Sequence, residues 1–476
     1  MNRIITCLFA FALCLSVTAE EENMLNTIIS LGLPTLIINT IDNEEPTCDY
    51  IEAPEGCMGV GRVNDNKVYG SLVIVQGKDT LYNSGDYVED ISGISIRITG
   101  NTSGRYSDVP PYKLKLEKKA DLLNRNNAIY NDKDWRLIKE TVGVYNIAGL
   151  KLSQLIGMAW TPQYKHINFI LNGKYRGVYL LIEPVKRNSD CRIDVAKNGG
   201  YIVERDAYWW NEALSFPSPF YAKDLSYRWT FKYPDEKDVT EDNIEYIKGY
   251  MERAEEALFD DTTSSNYDQY FDLKSMAKWL MVHDILGTRD SGGSNMFFSK
   301  YDSSDASLLT MPVVWDFDSS FDIDSKSFSR IHTSGHGYFK FLLNSNNHSF
   351  RTEYKELWKR VDGQVLIDNL ENFIDSFCAS DEGQAVKKSR NFSIAQGIQD
   401  VTSLEQDVIK AKEWLNAHKL WLNGEINKIP DVNAINDITI PASSSSKAYT
   451  LTGQQLSPVH HSPAIVIKNG KKFVKF

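Results

Sequence analysis

The sequence predicts an α+β fold with a β-rich N-terminal part, a helical C-terminal part and a small β appendage. Short alternating or continuous apolar runs fill the first half, and from about residue 238 apolar residues recur at three- and four-residue steps. A Ser-rich stretch then separates the helical part from strand-like runs around an Asn-Gly pair. At 476 residues the chain exceeds one ordinary domain and can bury a large core.

Shifts in composition divide the chain into five segments. They are a signal peptide (1–19), an N-terminal strand region (20–65), a main domain (66–427), a Ser-rich linker (428–446) and a small C-terminal β module (447–476). The first segment has one Arg, an apolar run and then Val-Thr-Ala, so we expect cleavage after Ala19 and export to the periplasm, the cell surface or the medium. No later segment is apolar enough to cross a membrane.

Two stretches of the β-rich part carry clear local patterns. "YKLKLEKK" alternates, which places Lys113 and Lys115 on one face of a strand and apolar residues on the other. "HINFILNGKYRGVYLLIEPV" predicts a β-hairpin because Asn172-Gly173 favours a type I′ turn. The run "MPVVW", residues 311–315, is typical of a buried strand.

Helices are expected in three later stretches. "VTEDNIEYIKGYMERAEEALF" begins with a Thr cap followed by Asp242, and "SMAKWLMVHDILG" is a more apolar helix. Residues 349–430 carry further helical periodicity.

Charge and cysteine content limit the function classes. The formal net charge of −11 argues against a general binder of nucleic acids or anionic membranes, although a local basic cleft is compatible with it. Cys48 and Cys57 close a short loop and could form a disulfide after export, whereas Cys191 and Cys378 are interpreted as buried thiols.

Acidic residues follow the apolar run at 311–315. Asp316 and Asp318 have the i, i+2 spacing that puts both on one face of an extended chain, which suits a metal site or, more simply, a solvated turn. Upstream, "TRDSGGSN" holds Asp290 and then Asn295. Protein kinases present a carboxylate, an Asn and a further Asp in this order to orient a hydroxyl and hold magnesium. No "HRD" or "DFG" triplet is present, so an ordinary protein kinase is excluded.

A third cluster would contact phosphates. Lys113 and Lys115 follow the glycine-containing loop "TGNTSGRYS", which includes Asn101. Lysines that alternate along a strand are more often a solvated face than ligands, and a lone Gly-rich loop is weak evidence. The three clusters together favour phosphoryl transfer more than each does alone.

A zinc site and a hydrolase site have weaker support in the sequence. His332 and His336 have an i, i+4 spacing, but the glycines beside them disfavour the helix that a zinc pair needs. A glycosidase uses a pair of carboxylates, so the acidic residues alone do not exclude that class of enzyme. No Gly-x-Ser-x-Gly elbow supports a hydrolase of that kind.

Seven landmarks in order resemble the CotH kinase family, the spore-coat type of atypical protein kinase. They run from roughly residue 66 to 427 and are "IRITGNTS…PPYKLKL", "DWRLI", "NGKYRGVYLLIEPV", "FKYPDEKDVT", "TRDSGGSNMFFSKYD", "VVWDFDSSFD" and "WLNAHKLWLN". The resemblance implies an atypical protein-kinase-like fold that binds ATP with Mg²⁺ or Mn²⁺ and phosphorylates proteins.

The resemblance also implies roles for individual residues. Asp290 matches the catalytic acid and Asp316 the metal-binding Asp, with Asn295 and Asp318 as supporting metal ligands. Either Lys113 or Lys115 would hold phosphates, and the sequence does not decide between them. Asn101, in the preceding loop, would be among the nucleotide-binding residues.

Glu183 ends the strand at the position of a kinase hinge, so the resemblance implies a place near adenine. The helix "GVYNIAGLKLSQLIG" lacks the acid that pairs with the lysine in ordinary kinases, so Glu183 or Glu140 substitutes, or the pair is absent. The chain departs from the family where Arg-Gly-Asn-Ser, Lys-Lys-Pro-Tyr and Phe-Gly are usual. It has "RITGNTS", "VPPYKLKL" and Phe321-Asp322 instead.

The expected function is an exported kinase that transfers the γ-phosphate of ATP to Ser or Thr of a secreted or surface protein. Because ATP is scarce outside the cytoplasm, a non-catalytic surface adhesion or assembly protein on a kinase-like fold stays an alternative. A carbohydrate-associated surface protein is another. The tail resembles C-terminal strand modules of exported proteins from Bacteroides-like bacteria, which suggests such a source.

Overall fold

A computed structural model of the protein describes most of the chain. The described residues are 19–107, 110–139, 143–218, 226–259, 266–288, 291, 295–322, 337–398, 401–429, 449–450, 464–468 and 471–475. The chain divides into two compact units, residues 1–427 and residues 428–476.

The strands in chain order are β1 (Thr35–Thr40), β2 (Asp49–Glu52), β3 (Val60–Val63), β4 (Val68–Gln76), β5 (Asp79–Asn83), β6 (Ile94–Ile98), β7 (Tyr112–Ala120), β8 (Asp132–Lys139), β9 (Tyr164–Leu171), β10 (Lys174–Ile182), β11 (Tyr201–Asp206), β12 (Ser215–Phe216), β13 (Arg228–Tyr233), β14 (Met296–Lys300), β15 (Tyr449–Thr450), β16 (Ala464–Lys468) and β17 (Lys471–Lys475). The helices are α1 (Ala19–Ser30), α2 (Thr102–Arg105), α3 (Tyr145–Ile156), α4 (Glu241–Phe259), α5 (Leu273–Leu286), α6 (Gly337–Asn344), α7 (Ser349–Arg360), α8 (Gly363–Ala379), α9 (Asp381–Ala395) and α10 (Leu404–Asn427). Short 3₁₀ turns lie at Ile41–Asn43, Ala128–Tyr130, Trp209–Asn211, Glu236–Asp238, Tyr267–Gln269 and Ser320–Asp322.

Seven strands of the first unit close into a barrel. Their order is β1-β9-β10-β8-β7-β6-β4, the pairing of β1 with β4 closes the ring, and β5 extends the sheet beyond β4. The β1–β9 pair is parallel and its neighbours are antiparallel. Closure pairs the two edges with each other and leaves an interior filled by side chains such as Leu36, Leu114, Trp135 and Phe169.

The local patterns of the barrel strands are confirmed. Tyr112, Leu114 and Leu116 of β7 are buried in the interior, while the lysines between them lie on the outer face. β9 and β10 form the expected hairpin, and both Asn172 (φ 50°) and Gly173 (φ 73°) have the positive φ that a type I′ turn requires.

A second, four-stranded antiparallel sheet has the order β12-β13-β11-β14. The segment 311–315 is buried as expected, but the prediction of a strand there is wrong. Its backbone bonds to other partners: the Met311 N–H donates to the Ser275 hydroxyl at 3.0 Å, and the Pro312 carbonyl accepts from the Trp160 N–H at 3.1 Å. Because proline lacks an N–H and these groups are already bonded, the segment cannot extend the sheet.

The helical part follows the sequence periodicity. Thr240 caps α4 through its hydroxyl, which accepts from the Asn243 N–H at 3.2 Å, and the Asn243 side chain accepts in return from the Thr240 N–H. Helices α7 to α10 cover most of the stretch expected to be helical. Among the described residues, no helix combines the length and the apolar character needed to span a membrane.

The suggested disulfide between Cys48 and Cys57 is not formed, and both thiols are free. The pairing of Asp49 with Val63 places Cys48 at the open end of the β2–β3 hairpin, whereas Cys57 lies in the turn at its other end. A disulfide needs Cα atoms within about 7 Å, which opposite ends of a hairpin do not provide.

The second unit contains a small antiparallel sheet of order β15-β16-β17, in keeping with the strands expected in the tail. The Asn-Gly pair at 469–470 lies outside the described residues.

Candidate active site

Three cationic side chains lie side by side on the outer face of the barrel. Lys113 on β7 is the register partner of Arg97 on β6 and of Arg136 on β8. The flanking Tyr112 and Leu114 point into the barrel, so Lys113 points outward. Like charges directly opposite on neighbouring strands destabilise a sheet, so these three residues, called here the cation row, favour an anionic ligand.

Nearby groups neutralise the cation row only in part. Arg97 Nη1 lies 2.9 Å from Asp65 Oδ2, and Arg136 Nη1 donates to the Thr99 hydroxyl at 2.8 Å. Lys113 has no ion-pair partner in the described part of the chain. Burial, followed by the charge of Arg136, lowers the pKa of Lys113 from 10.5 to about 8. Burial and the charge of Arg97 lower the pKa of Arg136 from its ordinary value to about 10.

The acid that acts on Lys113 comes from a strand and not from a helix. The charge of Asp134 on β8 raises the pKa of Lys113 and so offsets part of the lowering caused by burial and Arg136. The Asp134 carboxylate also binds Lys186 Nζ at 2.6 Å. Lys115, the second candidate, is exposed and lies opposite Ser95 and Asp134. Lys113 therefore has the more enclosed position and the closer cationic neighbours.

The predicted metal-binding residues Asn295 and Asp316 meet. Asn295 Nδ2 donates to Asp316 Oδ2 at 3.4 Å. Asn295 directly precedes β14. An antiparallel bridge between Ser299 and Thr310 places the chain that leads to Asp316 antiparallel to β14, so that Asn295 and Asp316 lie at the same end. Asn295 (φ 60°) and Asp316 (φ 64°) both have a left-handed backbone, which is uncommon for residues other than glycine and concentrates at functional sites.

Phe317 anchors the acidic segment between Asp316 and Asp318. Its N–H donates to Asn146 Oδ1 on α3 at 3.3 Å, and its ring is buried against Gly149 on the same helix. A Cβ on Gly149 would lie 2.3 Å from the ring, so only glycine allows this approach. Helix α3 thus fixes the position of the acidic segment.

Glu204 on β11 connects the acidic pair with the cation row. Its Oε1 accepts the Asn295 N–H at 3.2 Å, and its Oε2 lies 2.9 Å from Lys232 Nζ. The charge of Glu204 also raises the pKa of Arg136, while burial raises the pKa of Glu204 itself. The Glu204 carboxylate therefore lies within electrostatic range of Arg136 and in hydrogen-bond contact with Asn295.

The loop after β6 borders this region. Thr99, which begins it, holds Arg136, and Gly100 adopts a positive φ of 80°. Asn101 precedes α2, where its carbonyl accepts the Arg105 N–H at 3.0 Å. Its side chain does not cap the helix and is partly exposed at the loop.

Glu183 lies in a different environment from the one expected. It is 1% exposed; one carboxylate oxygen binds Arg125 at 2.9 Å, and the other accepts the Gln163 N–H at 3.0 Å. Arg192 Nε lies 3.6 Å from the same carboxylate. The carboxylate is thus engaged within the protein, and the Glu183 N–H donates to the Gln163 carbonyl at 3.1 Å.

Some candidate residues lie outside the described part of the chain. They are Asp290, Glu140, His332 and His336. The described neighbours of Asp290, Thr288 and Ser291, are fully buried, and the Thr288 hydroxyl is 3.2 Å from the hydroxyl of Ser320 just beyond the acidic segment.

The arrangement suits a magnesium ion that arrives with a nucleotide better than an all-protein metal cage. Within the described ranges, no three His, Cys, Asp or Glu side chains form a metal-binding group. Mg²⁺ usually takes one or two carboxylates and completes its shell with waters and substrate phosphates. Asp316 and the exposed Asp318 would supply the carboxylates, and a half-turn of the Asn295 amide would present its oxygen beside Asp316.

Comparison with protein families agrees with this geometry. The family described as CotH kinase protein matches residues 96–422, which is more than half of the chain. The chain belongs to the CotH kinase family. The CotH match begins one residue before Arg97 on β6 and ends within α10, so it covers both the cation row and the acidic segment. No curated protein matches the chain.

Three residues of this candidate site are not indicated by the motifs in the sequence: Arg97, Arg136 and Glu204. Arg97 and Arg136 stand in the quoted stretches "IRITGNTS" and "DWRLI", where each interrupts an apolar strand pattern. That interruption is a usable signal for a polar face, but it does not reveal which strands are neighbours. Glu204 in "YIVERD" carries the same signal on a different sheet.

Proposed function

We propose that this protein is an exported atypical protein kinase that transfers the γ-phosphate of ATP to Ser or Thr hydroxyls of a secreted or surface protein, on a kinase-like fold. The observation that carries the proposal is the contact of Asn295 with Asp316, held by the Glu204 carboxylate, whose charge also acts on Arg136 of the cation row. Phosphoryl transfer needs cations for phosphate oxygens and oxygen ligands for magnesium in one place.

The cation row would bind the phosphates of ATP. Three adjacent cations offer more positive charge than a single lysine, and the depressed pKa values of Lys113 and Arg136 mean that an anion relieves their repulsion. The adjoining loop of Gly100 and Asn101 gives backbone groups a close approach to the same ligand.

Asp316, Asp318 and Asn295 would hold the magnesium ion. Bound magnesium, or manganese in its place, neutralises charge that develops on the phosphate oxygens. In the transfer the acceptor oxygen bonds to the γ-phosphorus while the bond to the bridging oxygen of ADP breaks. Asp290 is proposed to orient the acceptor hydroxyl and take its proton, the role that the family resemblance implies.

The test measures magnesium-dependent transfer of labelled phosphate from ATP, both to the protein itself and to casein. We expect labelling by the wild type in Mg²⁺ and none in EDTA. Asp316→Asn and Asp290→Asn should each lower labelling by about 100-fold or more, because each removes a group that acts on the reacting phosphate. Asp305→Asn, in the exposed loop after β14, is the matched control and should label like the wild type.

Two results would contradict the proposal. Equal labelling by the wild type and both site variants would remove the assigned roles. Failure of the wild type to bind ATP by calorimetry with Mg²⁺ present would favour the surface adhesion or assembly role on the same fold.

A further inference from the structure

The Glu204 carboxylate bridges two groups that are far apart in the sequence. Glu204 is the register partner of Phe297 on β14 and of Thr230 on β13, which places it in the middle of the second sheet. From there one oxygen accepts the Asn295 N–H at 3.2 Å, and the other binds Lys232 Nζ at 2.9 Å. Its side chain is only 12% exposed, so this geometry is enclosed by protein.

The Asn295 backbone needs such support. Its φ of 60° belongs to the left-handed region, which is unfavourable for a residue with a Cβ, although Asn tolerates it better than most. The hydrogen bond from its N–H to the Glu204 carboxylate holds this backbone from outside its own segment. Without it, the Asn295 amide would lose the orientation that brings it to Asp316.

Lys232 is directed at Glu204 by an irregularity in β13. Ile202 pairs with Tyr233, but the next residue, Val203, pairs with Phe231, so Lys232 is the extra residue of a β-bulge. Bulges re-aim side chains and are frequent beside functional sites. The carboxylates of Glu204, Glu212 and Asp206 raise the pKa of Lys232, which keeps it a cation next to Glu204.

We propose that Glu204, held by Lys232, is a positioning residue for the divalent cation: it sets Asn295 against Asp316, and the metal site forms fully only while residue 204 accepts the Asn295 N–H. This inference rests on the proposed magnesium-dependent function and extends it to two residues of the second sheet. Neither residue touches the metal in this arrangement; both act through the Asn295 backbone.

The experiment measures Mn²⁺ binding by electron paramagnetic resonance, alone and with the non-hydrolysable ATP analogue AMP-PNP. Glu204→Ala should weaken Mn²⁺ binding by about 10-fold, the size expected for loss of a partner that orients a metal ligand. Glu204→Gln should restore most of the affinity, because its amide oxygen still accepts the Asn295 N–H. Glu212→Gln is the matched control: it removes a charge near Lys232 but leaves the Glu204 contacts, and should bind Mn²⁺ like the wild type.

A double-variant cycle separates positioning from general stability. If Glu204 acts through Asn295, Glu204→Ala should add little to the loss caused by Asn295→Ala, so the two effects should be strongly non-additive. The Mg²⁺ concentration for half-maximal transfer should rise in Glu204→Ala, while the affinity for ATP in EDTA stays unchanged. If Glu204→Ala unfolds, Glu204→Leu combined with Lys232→Met removes the acceptor without leaving a buried unpaired charge, and should weaken Mn²⁺ binding as expected for Glu204→Ala.

The outcomes distinguish this inference from the proposed function. Wild-type Mn²⁺ affinity in Glu204→Ala, or additive losses in the cycle, would overturn the positioning role. The expected Mn²⁺ pattern without phosphate transfer by the wild type would overturn only the kinase assignment. No Mn²⁺ binding by the wild type, with or without AMP-PNP, would overturn both.

Discussion

Lys113 and Arg136 are register partners on the antiparallel strands β7 and β8, and both are cationic. Burial, followed by the charge of Arg136, lowers the pKa of Lys113, and burial, followed by the charges of Arg97 and Arg62, lowers the pKa of Arg136. A folded chain that keeps this arrangement without a ligand is less stable than one with a neutral residue at position 113. The repulsion is relieved when an anion binds, which links stability directly to the proposed phosphate contacts.

Replacement of Lys113 by Met should stabilise the protein and weaken nucleotide binding. The free energy of unfolding should rise by roughly 0.5 kcal/mol at low ionic strength, since like charges directly opposite cost up to about 1 kcal/mol. The gain should shrink as salt screens the repulsion. ATP affinity by calorimetry should fall by about 10-fold or more, as expected for the loss of a charged hydrogen bond.

Lys119→Met, on the exposed end of the same strand, is the control for both measurements. We expect it to leave the free energy of unfolding and the ATP affinity near their wild-type values. A stability loss in Lys113→Met with ATP affinity unchanged would contradict the account of the cation row.

The pH dependence of stability should reveal Lys113. Its folded-state pKa of about 8 lies below the ordinary 10.5, so between these values the unfolded chain binds more protons than the folded one. Stability from this group therefore rises with pH from about 8 to about 10.5. The charges that face it are Arg97 and Arg136 across the strands, Lys115 on its own strand and Asp134.

Denaturant unfolding of the wild type and Lys113→Met at pH 7, 8, 9 and 10 measures this window. The stability advantage of the Met variant should be largest at pH 7 and decrease toward pH 10. A constant difference across the series would mean that Lys113 titrates normally in the folded protein.

Gly149→Ala should disturb the acidic segment although it improves helix propensity. Alanine gains about 1 kcal/mol over glycine within a helix, but here its Cβ would meet the buried Phe317 ring at 2.3 Å. Overpacking of this kind costs about 1–3 kcal/mol. We expect a net loss of stability and weaker Mn²⁺ binding, because Phe317 joins the two acidic residues.

Gly249→Ala in the middle of α4 is the matched control, since its new Cβ would meet only the end of the Arg253 side chain at 3.7 Å. It should raise the melting temperature and leave Mn²⁺ binding unchanged. Stabilisation by both alanines would show that Phe317 can move without cost.

Helices α9 and α10 offer a buried and an exposed ion pair for comparison. Arg390 and Asp407 are almost fully buried and 2.9 Å apart, whereas Lys387 and Glu405 are partly exposed. Asp407→Asn should lower the free energy of unfolding by about 3 kcal/mol, because Arg390 would keep a buried charge without its partner. Glu405→Gln should cost less than about 1 kcal/mol. Equal losses in urea unfolding would contradict the contrast drawn from burial.

The sequence alone determined the elements whose signals are local. The Asn172-Gly173 hairpin requires two positive φ angles in adjacent residues, and the Thr240 cap and the apolar spacing of α4 lie within one or two helical turns. The seven landmark stretches, taken in their order along the chain, were also sufficient to indicate the family. These features depend on neighbours a few residues apart, or on sequence order itself.

Only the tertiary structure decided how the strands are paired and what they bring together. The apolar stretch 311–315 satisfies a strand pattern, but bonds to Ser275 and Trp160, far away in the sequence, occupy its backbone. The alternating pattern of β7 predicted that Lys113 lies on the polar face of its strand. It did not reveal that Arg97 and Arg136 are its neighbours, because alternation determines which face a side chain occupies but not which residues of the adjacent strands lie opposite it. Barrel closure and the Glu204–Asn295 contact join residues up to about a hundred positions apart, and no local pattern encodes such pairs.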